Sequence, residues 1–298
     1  MTFTPFPSGS RPRVFADSLV DALRRLWVYI ASTDFVRGMR LSMIGVYALV
    51  LRDATTRFGH RSAGAVWVMM APLLRLGGMI LLFNFLGRGP AAGDSLVIFF
   101  LTGMVPVFLL RAAVTSAGSA IRSGGAMMTF PQIGPLEFVA SRVWVELLSD
   151  AGVVFIIMMG AKAFGGLAIA AWFSEPLKIV GAVIMLAYFT YAASFLSAQL
   201  GRLWQQWTDI TRFIARALFF TSGVWYTMGS LPPNLRGIIQ YNPVAHIIEW
   251  VRDGVIHGFD SDYYTIGYPF WFATVCLFIG LFINLMYRLG GYDMKPGV

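Results

Sequence analysis

Cysteine, lysine and histidine are almost absent from this chain of 298 residues, and their scarcity excludes several kinds of chemistry. The single cysteine, Cys276, rules out a disulfide framework. The three histidines show no metal-ligand spacing such as His-x-x-x-His, and none of the three lysines stands in the glycine-rich pattern of a phosphate-binding P-loop. A Gly-x-Ser-x-Gly nucleophile motif is also missing. We therefore predict no catalytic, cofactor-binding or metal-binding residue, and we do not expect this chain to be an enzyme.

Charged residues are also scarce, at 13% of the chain, whereas 57% of the residues are hydrophobic and the mean hydropathy is +0.67. Because soluble domains carry about 25% charged residues, this composition indicates an all-α protein that crosses a membrane several times. The net charge of +8 is explained by basic residues in cytoplasmic loops, so we predict no nucleic-acid partner.

Six apolar blocks have roughly the 20 residues that a helix needs to cross a bilayer. They lie at about 65–86, 96–117, 143–164, 177–200, 213–228 and 267–287, within a six-span domain at 64–298. With the N-terminus in the cytoplasm, sixteen lysines and arginines face the cytoplasm and four face the outside. The positive-inside rule therefore predicts that both termini are cytoplasmic.

The part of the chain before the first block is mixed in composition. Residues 1–16 contain three prolines, two serines and one glycine but no apolar core, and are expected to be a disordered cytoplasmic tail. Residues 17–63 are expected to form cytoplasmic or interfacial helices. Among them, the apolar stretch at about 40–52 has too few residues for a span and predicts an amphipathic helix on the inner leaflet. A seventh span remains the alternative for this stretch.

A short helix is predicted in the external loop at about 229–266, between the last two blocks. Asn242 suits the N-cap and Pro243 the first helical position, and an apolar stripe follows. The segment is too short to span, so we expect a pair of re-entrant helices here. His246 and Glu249 lie opposite the stripe, and form either a metal or proton site or a hydrogen-bonded pair that holds the helix at the membrane–water boundary. We favour the second interpretation.

Two arginines and two aromatic residues mark a candidate path through the membrane. Arg75 and Arg111 fall within the first two blocks, where no acidic residue can pair with them. They suit either an anionic cargo or a snorkelling position at the headgroups. Trp225 and Tyr226 end the fifth block, where they belong either to an interfacial aromatic belt or to a surface for stacking sugars.

The cytoplasmic connection at about 118–140 carries apolar residues where a polar loop is usual. Met127, Met128 and Phe130 precede Pro131 and Pro135. Methionines and an aromatic residue on a short loop favour docking into a groove on a partner protein, and a loop resting on lipid is the alternative.

Four groups of residues, in their order along the chain, carry a resemblance to a known family. These are Thr56-Arg57-Phe58-Gly59 with Trp67 and Pro72; Leu101-Thr102-Gly103-Met104-Val105-Pro106; Phe130-Pro131 with Pro135-Leu136 and Arg142; and Asn242-Pro243 with His246, Glu249, Arg252 and Gly254. Together they resemble the membrane subunit of a type-2 ABC exporter, in particular the permease for capsular polysaccharide or lipopolysaccharide O-chain export.

The resemblance implies a homodimer of six-span subunits in the bacterial inner membrane, with two copies of a separate ATP-binding cassette subunit that hold ATP and Mg. A coupling loop for that subunit is implied at Gly124, Met127, Met128, Phe130, Pro131 and Pro135. The translocation path would lie between the two subunits, where we place Arg75, Arg111, Trp67, Trp225 and Tyr226. The re-entrant exit helix would comprise Asn242, Pro243, His246, Glu249 and Arg252.

The expected cargo is a lipid-linked, acidic capsular polysaccharide, and periplasmic or outer-membrane export proteins are expected as further partners. O-antigen, teichoic acid or another lipid-linked cargo remains an alternative. A proton-coupled transporter would need buried carboxylates within spans, for which only Glu146 and Asp150 qualify. A membrane acyltransferase would need a polar constellation that the sequence does not offer.

Overall fold

The computed structural model describes residues 34–58, 62–123, 133–165 and 173–289. These residues form nine α-helices and no strand, which confirms the all-α prediction. The helices are α1 (Asp34–Phe58), α2 (Ser62–Phe85), α3 (Leu96–Ser123), α4 (Pro135–Gly165), α5 (Pro176–Leu203), α6 (Trp207–Thr221), α7 (Pro233–Ile239), α8 (Pro243–Val255) and α9 (Gly267–Leu289).

Four of these helices are long and apolar enough to cross a membrane: α3, α4, α5 and α9. They coincide with the second, third, fourth and sixth predicted blocks. The third block was expected to begin at about residue 143, but α4 begins at Pro135. The polar residues of its first turns belong to the same helix. In α2 the described side chains include a shorter apolar stretch, Met70–Phe85. Six spans with both termini cytoplasmic thus stays a prediction.

The bounds predicted for the fifth block, about 213–228, are wrong. Helix α6 runs from Trp207 to Thr221, and its 15 residues extend about 22 Å, against the roughly 30 Å of a bilayer core. The chain leaves the helix at Ser222 because Gly223 adopts a left-handed conformation with φ 81°. Trp225 and Tyr226 therefore lie in a turn after the helix.

The amphipathic helix predicted at about 40–52 is the middle of the longer helix α1, whose 25 residues are not apolar enough to count among the membrane-span candidates. Asp53, near its end, is buried and forms ion pairs with Arg52 at 2.6 Å and with Arg142 of α4 at 3.3 Å. The Arg142 guanidinium also lies 5.5 Å from the ring centre of Phe138. The end of α1 is therefore attached to the first turns of α4.

Helix α3 occupies the centre of the described bundle and packs against α2, α4, α5, α6 and α8. It approaches α5 most closely where two glycines meet. A Cβ atom on Gly201 would overlap the carbonyl oxygen of Gly118, so the two backbones are in direct contact. Such glycine contacts let membrane helices approach closely without a side chain between them.

Candidate functional site

Helix α8 begins as the sequence predicts. The side-chain oxygen of Asn242 accepts a hydrogen bond from the Val244 N–H at 3.0 Å, and Pro243 takes the first helical position. The Asn242 amide nitrogen donates to the hydroxyls of Thr221 at 3.1 Å and Ser222 at 3.0 Å. One residue therefore caps α8 and also ties it to the end of α6.

The polar side of α8 is covered by the rest of the subunit, and the expected place of the helix at the membrane–water boundary stays a prediction. Eleven of the thirteen residues of α8 are buried, and they include His246, Glu249, Arg252 and Asp253. Buried polar groups need partners. The partners of Glu249, Arg252 and His246 are backbone groups of nearby turns, and those of Asp253 are side chains.

Among the described residues, Arg252 is the largest fully buried side chain, with an exposed fraction of 0%. Its Nη1 donates to the Tyr226 carbonyl at 2.8 Å and its Nη2 donates to the Val224 carbonyl at 3.3 Å. The guanidinium lies 4.2 Å from the ring centre of Phe99. Burial lowers the pKa of Arg252 to about 10, so the side chain stays protonated at neutral pH. A Cβ on Gly103 would lie 2.8 Å from Nη2 and 3.2 Å from the Val224 carbonyl oxygen, so a larger residue there would force the guanidinium or the turn to shift.

Glu249 lies three residues before Arg252 and binds the same turn. Its Oε1 accepts the Met228 N–H at 2.7 Å, and the carboxylate raises the pKa of Arg252 against the effect of burial. Its Oε2 is buried and has no hydrogen-bond donor among the described residues. The two buried side chains carry opposite charges, and both hold the backbone of residues 224–228.

His246 connects α8 to the segment before α9. Its Nδ1 accepts the Thr265 N–H at 3.0 Å, and its Nε2 lies 2.8 Å from the Gln240 carbonyl. Because the first partner can only donate and the second can only accept, the ring is neutral with its hydrogen on Nε2. Burial lowers the pKa of His246, which favours the same form. The described residues contain no group of three metal-ligating side chains, so no such group includes His246.

Several residues that sequence reasoning missed complete this region. Asp253 accepts from the Tyr264 hydroxyl at 2.6 Å and pairs with Lys178 of α5 at 3.0 Å. Arg236 donates to three carbonyls of the turn before α7, those of Met228, Gly229 and Leu231. The sequence signal for both was only a charge in an otherwise apolar chain. We call the set of Glu249, Arg252, His246, Asn242 and Asp253 with their partners the α8 anchor.

An aromatic row connects α2, α3 and α6 to the turn held by the α8 anchor. The Arg75 guanidinium lies 5.4 Å from the ring centre of Phe108, which stacks on Phe219 at 5.8 Å. Phe219 meets Trp225 edge-on at 5.7 Å, and Trp225 is parallel to Phe220 at 6.4 Å. Arg75 is exposed and Phe220 is 63% exposed. The row therefore presents one cation and an aromatic surface on the outside of the subunit.

A separate apolar groove of about 300 Å³ lies among α3, α5, α6, α8 and α9. Its wall is almost wholly apolar, and Arg111 is its one charged residue. The other lining residues include Val107, Phe189, Leu218, Val244 and Cys276.

Sequence comparison relates this architecture to known membrane proteins, although no family model matches the chain. The chain is 23% identical over 246 residues to the polysialic acid transport protein KpsM of Escherichia coli, a match that covers 82% of this chain and 93% of that protein. It is 22% identical over 253 residues to the capsule polysaccharide export inner-membrane protein CtrC of Neisseria meningitidis serogroup B, covering 85% and 93%. It is 25% identical over 246 residues to the O-antigen export system permease protein RfbA of Klebsiella pneumoniae, covering 80% and 90%. The chain is a homologue of inner-membrane polysaccharide export permeases.

The predicted location in the inner membrane is confirmed by these matches and by the apolar helices. Of the remaining candidate residues in this permease homologue, the structure describes some and not others. Arg111 is exposed on α3, Trp225 and Tyr226 are half-buried in the turn after α6, and Pro135 is the first residue of α4. The Tyr226 hydroxyl donates to the Phe220 carbonyl at 3.1 Å. Outside the described part lie the side chain of Trp67 and the coupling-loop residues Gly124, Met127, Met128, Phe130 and Pro131.

Proposed function

We propose that this protein is the membrane-spanning subunit of an ATP-driven exporter that moves a lipid-linked polysaccharide across the inner membrane. The observation that carries the proposal is the extent of the similarity to capsule and O-antigen export proteins. It covers at least 80% of this chain and at least 90% of each relative named above, so it concerns whole subunits. An acidic capsular glycan is the cargo we favour, because Arg75 offers a cation on an exposed aromatic surface.

The energy for export would come from a separate ATP-binding cassette subunit in two copies, which would hold ATP and Mg. This chain has no P-loop sequence of its own. We propose that the partner docks on residues 124–135, between α3 and α4, through Met127, Met128 and Phe130. The ion pair of Asp53 with Arg142 supports this assignment, because it ties α1 to the helix that follows the docking loop.

The translocation path would lie between two copies of this chain, with the aromatic row as part of its wall. Arg75 would attract an acidic chain or its phosphate linker, and Trp225 and Tyr226 would offer aromatic surface to sugar rings. Exposed apolar residues of α2 beside the row, such as Leu81 at 71% and Phe85 at 88%, support contact with another subunit or with lipid there.

The proposal is tested in a strain that lacks the native gene, by measuring surface polysaccharide and the ATPase activity of the purified complex. The wild-type chain should restore surface polysaccharide and should co-purify with an ATP-binding cassette subunit. Phe130→Asp should abolish export and release the partner. Arg75→Gln should reduce export while the complex stays intact, whereas Arg88→Gln, outside the helices, should have no effect. Purification without any ATP-binding subunit, with export still intact, would refute the proposal.

A further inference from the structure

The apolar groove has the dimensions of a site for one hydrocarbon chain. Along α6 its wall runs from Trp207 to Leu218, which corresponds to about 16 Å of helix. A volume of about 300 Å³ spread over that length makes the groove narrow. A helix with its side chains is about 10–12 Å across, so a helix of a second subunit cannot enter.

The groove is open on its side and closed at its end. Ile214 and Phe272 border it and are 42% and 44% exposed, so the opening faces the space that lipid fills around a membrane protein. The end toward α8 is formed by Pro243 and Val244, both buried. A molecule in transit through the membrane would find no way out past α8, so the groove suits a resident occupant.

Arg111 gives the groove one positive charge. Its side chain is exposed at the groove wall, and it forms no ion pair, hydrogen bond or cation–π contact with any described residue. By contrast, Arg212 on the neighbouring α6 pairs with Asp209 at 2.9 Å. An arginine within a span is costly unless a counter-charge satisfies it, so an anionic group is expected beside Arg111.

The depth of Arg111 identifies which anion can reach it. The Ser197 hydroxyl donates to the Val114 carbonyl at 3.0 Å and accepts from the Trp207 indole at 2.9 Å, so Val114 and Trp207 are at one level. Trp207 begins α6, on the side predicted to be cytoplasmic, where tryptophan is typical of the membrane interface. Arg111 lies three residues from Val114, or about 4.5 Å along α3, within reach of the phosphate layer.

We propose that the apolar groove is a binding site for one anionic phospholipid of the cytoplasmic leaflet. One hydrocarbon chain fills the groove between α6 and α9, and the phosphate binds Arg111. This site is separate from the translocation path and does not depend on the identity of the cargo. Arg111 thereby takes a role different from the path role expected from the sequence.

The test uses the purified full-length protein in detergent and counts retained lipids by native mass spectrometry. The chain is titrated with phosphatidylglycerol and, separately, with phosphatidylcholine of the same chain length. We expect one retained phosphatidylglycerol per chain, bound at least about tenfold more tightly than phosphatidylcholine, because the choline cation beside the phosphate of phosphatidylcholine repels Arg111. Arg111→Gln should remove that preference, and Ala215→Phe, which fills the groove, should remove the retained lipid itself.

Two controls differ from these variants only in position. Arg212→Gln removes a cation that already has a partner, and Ala217→Phe adds the same ring to α6 at an exposed position away from the groove. Both should retain the lipid. Ala193→Phe, on the α5 wall, also fills the groove and serves as the test if Ala215→Phe does not fold. Equal retention of the two lipids by the wild-type chain, or equal loss in Ala217→Phe and Ala215→Phe, would overturn the proposal. So would a lipid-linked glycan found in the groove in place of phosphatidylglycerol.

Discussion

Replacing Arg252 by methionine is the sharpest test of the α8 anchor. The substitution keeps an unbranched side chain but removes the cation that binds the carbonyls of Tyr226 and Val224. It also leaves the buried Glu249 carboxylate beside an apolar group. In the described residues that carboxylate accepts one hydrogen bond, from the Met228 N–H to Oε1. The turn after α6 should then lose its attachment to α8.

The size of the effect follows from the contacts that are lost. Hydrogen bonds that involve a charged group contribute about 1.5–3 kcal/mol each, and a desolvated cation over a ring adds about 2 kcal/mol. These terms are not additive within one network. Two carbonyls lose their donor and the buried Glu249 carboxylate loses a nearby cation, so we expect Arg252→Met to destabilise the protein by about 3–5 kcal/mol.

Thermal unfolding of the detergent-purified protein measures this loss. Since 1 kcal/mol shifts the melting temperature of a large domain by about 2–4 °C, Arg252→Met should lower it by about 6–20 °C. The double variant Glu249→Gln with Arg252→Met should recover part of that loss, because it removes the unpaired charge. Arg212→Met, at an exposed ion pair, should change stability by at most about 1 kcal/mol. A melting temperature of Arg252→Met equal to that of Arg212→Met would refute the reasoning.

Three other predictions concern the helix contacts and the histidine. Gly201→Ala should lower stability by about 1–3 kcal/mol or more in thermal unfolding, because its Cβ would force α5 away from α3. A double-mutant cycle of Asp53→Asn and Arg142→Gln should give a coupling energy of about 0.5–3 kcal/mol. Because burial lowers the pKa of His246, the unfolded state binds the proton first as pH falls. Stability should therefore be lost as pH falls below about 6.5, and His246→Gln should remove this dependence in unfolding measured between pH 5 and 8.

Each of these predictions has a matched control. Gly78→Ala also replaces a helical glycine, but nothing lies within 4 Å of the added Cβ, so stability should rise slightly or stay unchanged. The exposed pair Asp209–Arg212 should give a coupling below about 1 kcal/mol in the same kind of cycle. His257→Gln, at an exposed position, should leave the pH dependence intact. If a control changes stability, coupling energy or pH dependence as much as its test variant does, the contact that the variant removes does not have the role assigned to it.

The signals that predicted the fold correctly are local ones. Runs of about 20 apolar residues located α3, α5 and α9, because length and hydropathy alone decide whether a helix can cross a bilayer. The start of α8 was also predictable, since Asn242 and Pro243 satisfy the first turn of a helix with their own atoms.

What the sequence could not predict depends on contacts between distant backbone groups. The end of α6 was placed too late because the apolar Val224, Trp225, Tyr226 and Met228 follow it closely in sequence, although Arg252 and Glu249 hold that stretch in a turn. The partners of the polar side of α8 could not be predicted, because an amphipathic pattern does not reveal what covers that side. Glu249 and Arg252 bind an N–H and two carbonyls 21 to 28 residues away, and backbone groups carry no side-chain signal in the sequence.

The α8 anchor recognises the turn at 224–228 through main-chain atoms, and this makes the turn tolerant of sequence change. Arg252 and Glu249 bind two carbonyls and one N–H, groups that nearly every amino acid supplies in the same place. The left-handed φ at 223 requires glycine, and position 228 must supply an N–H and so cannot be proline. The side chains of Trp225 and Tyr226 take no part in this attachment, so they are left to form the aromatic row and the bond to the Phe220 carbonyl.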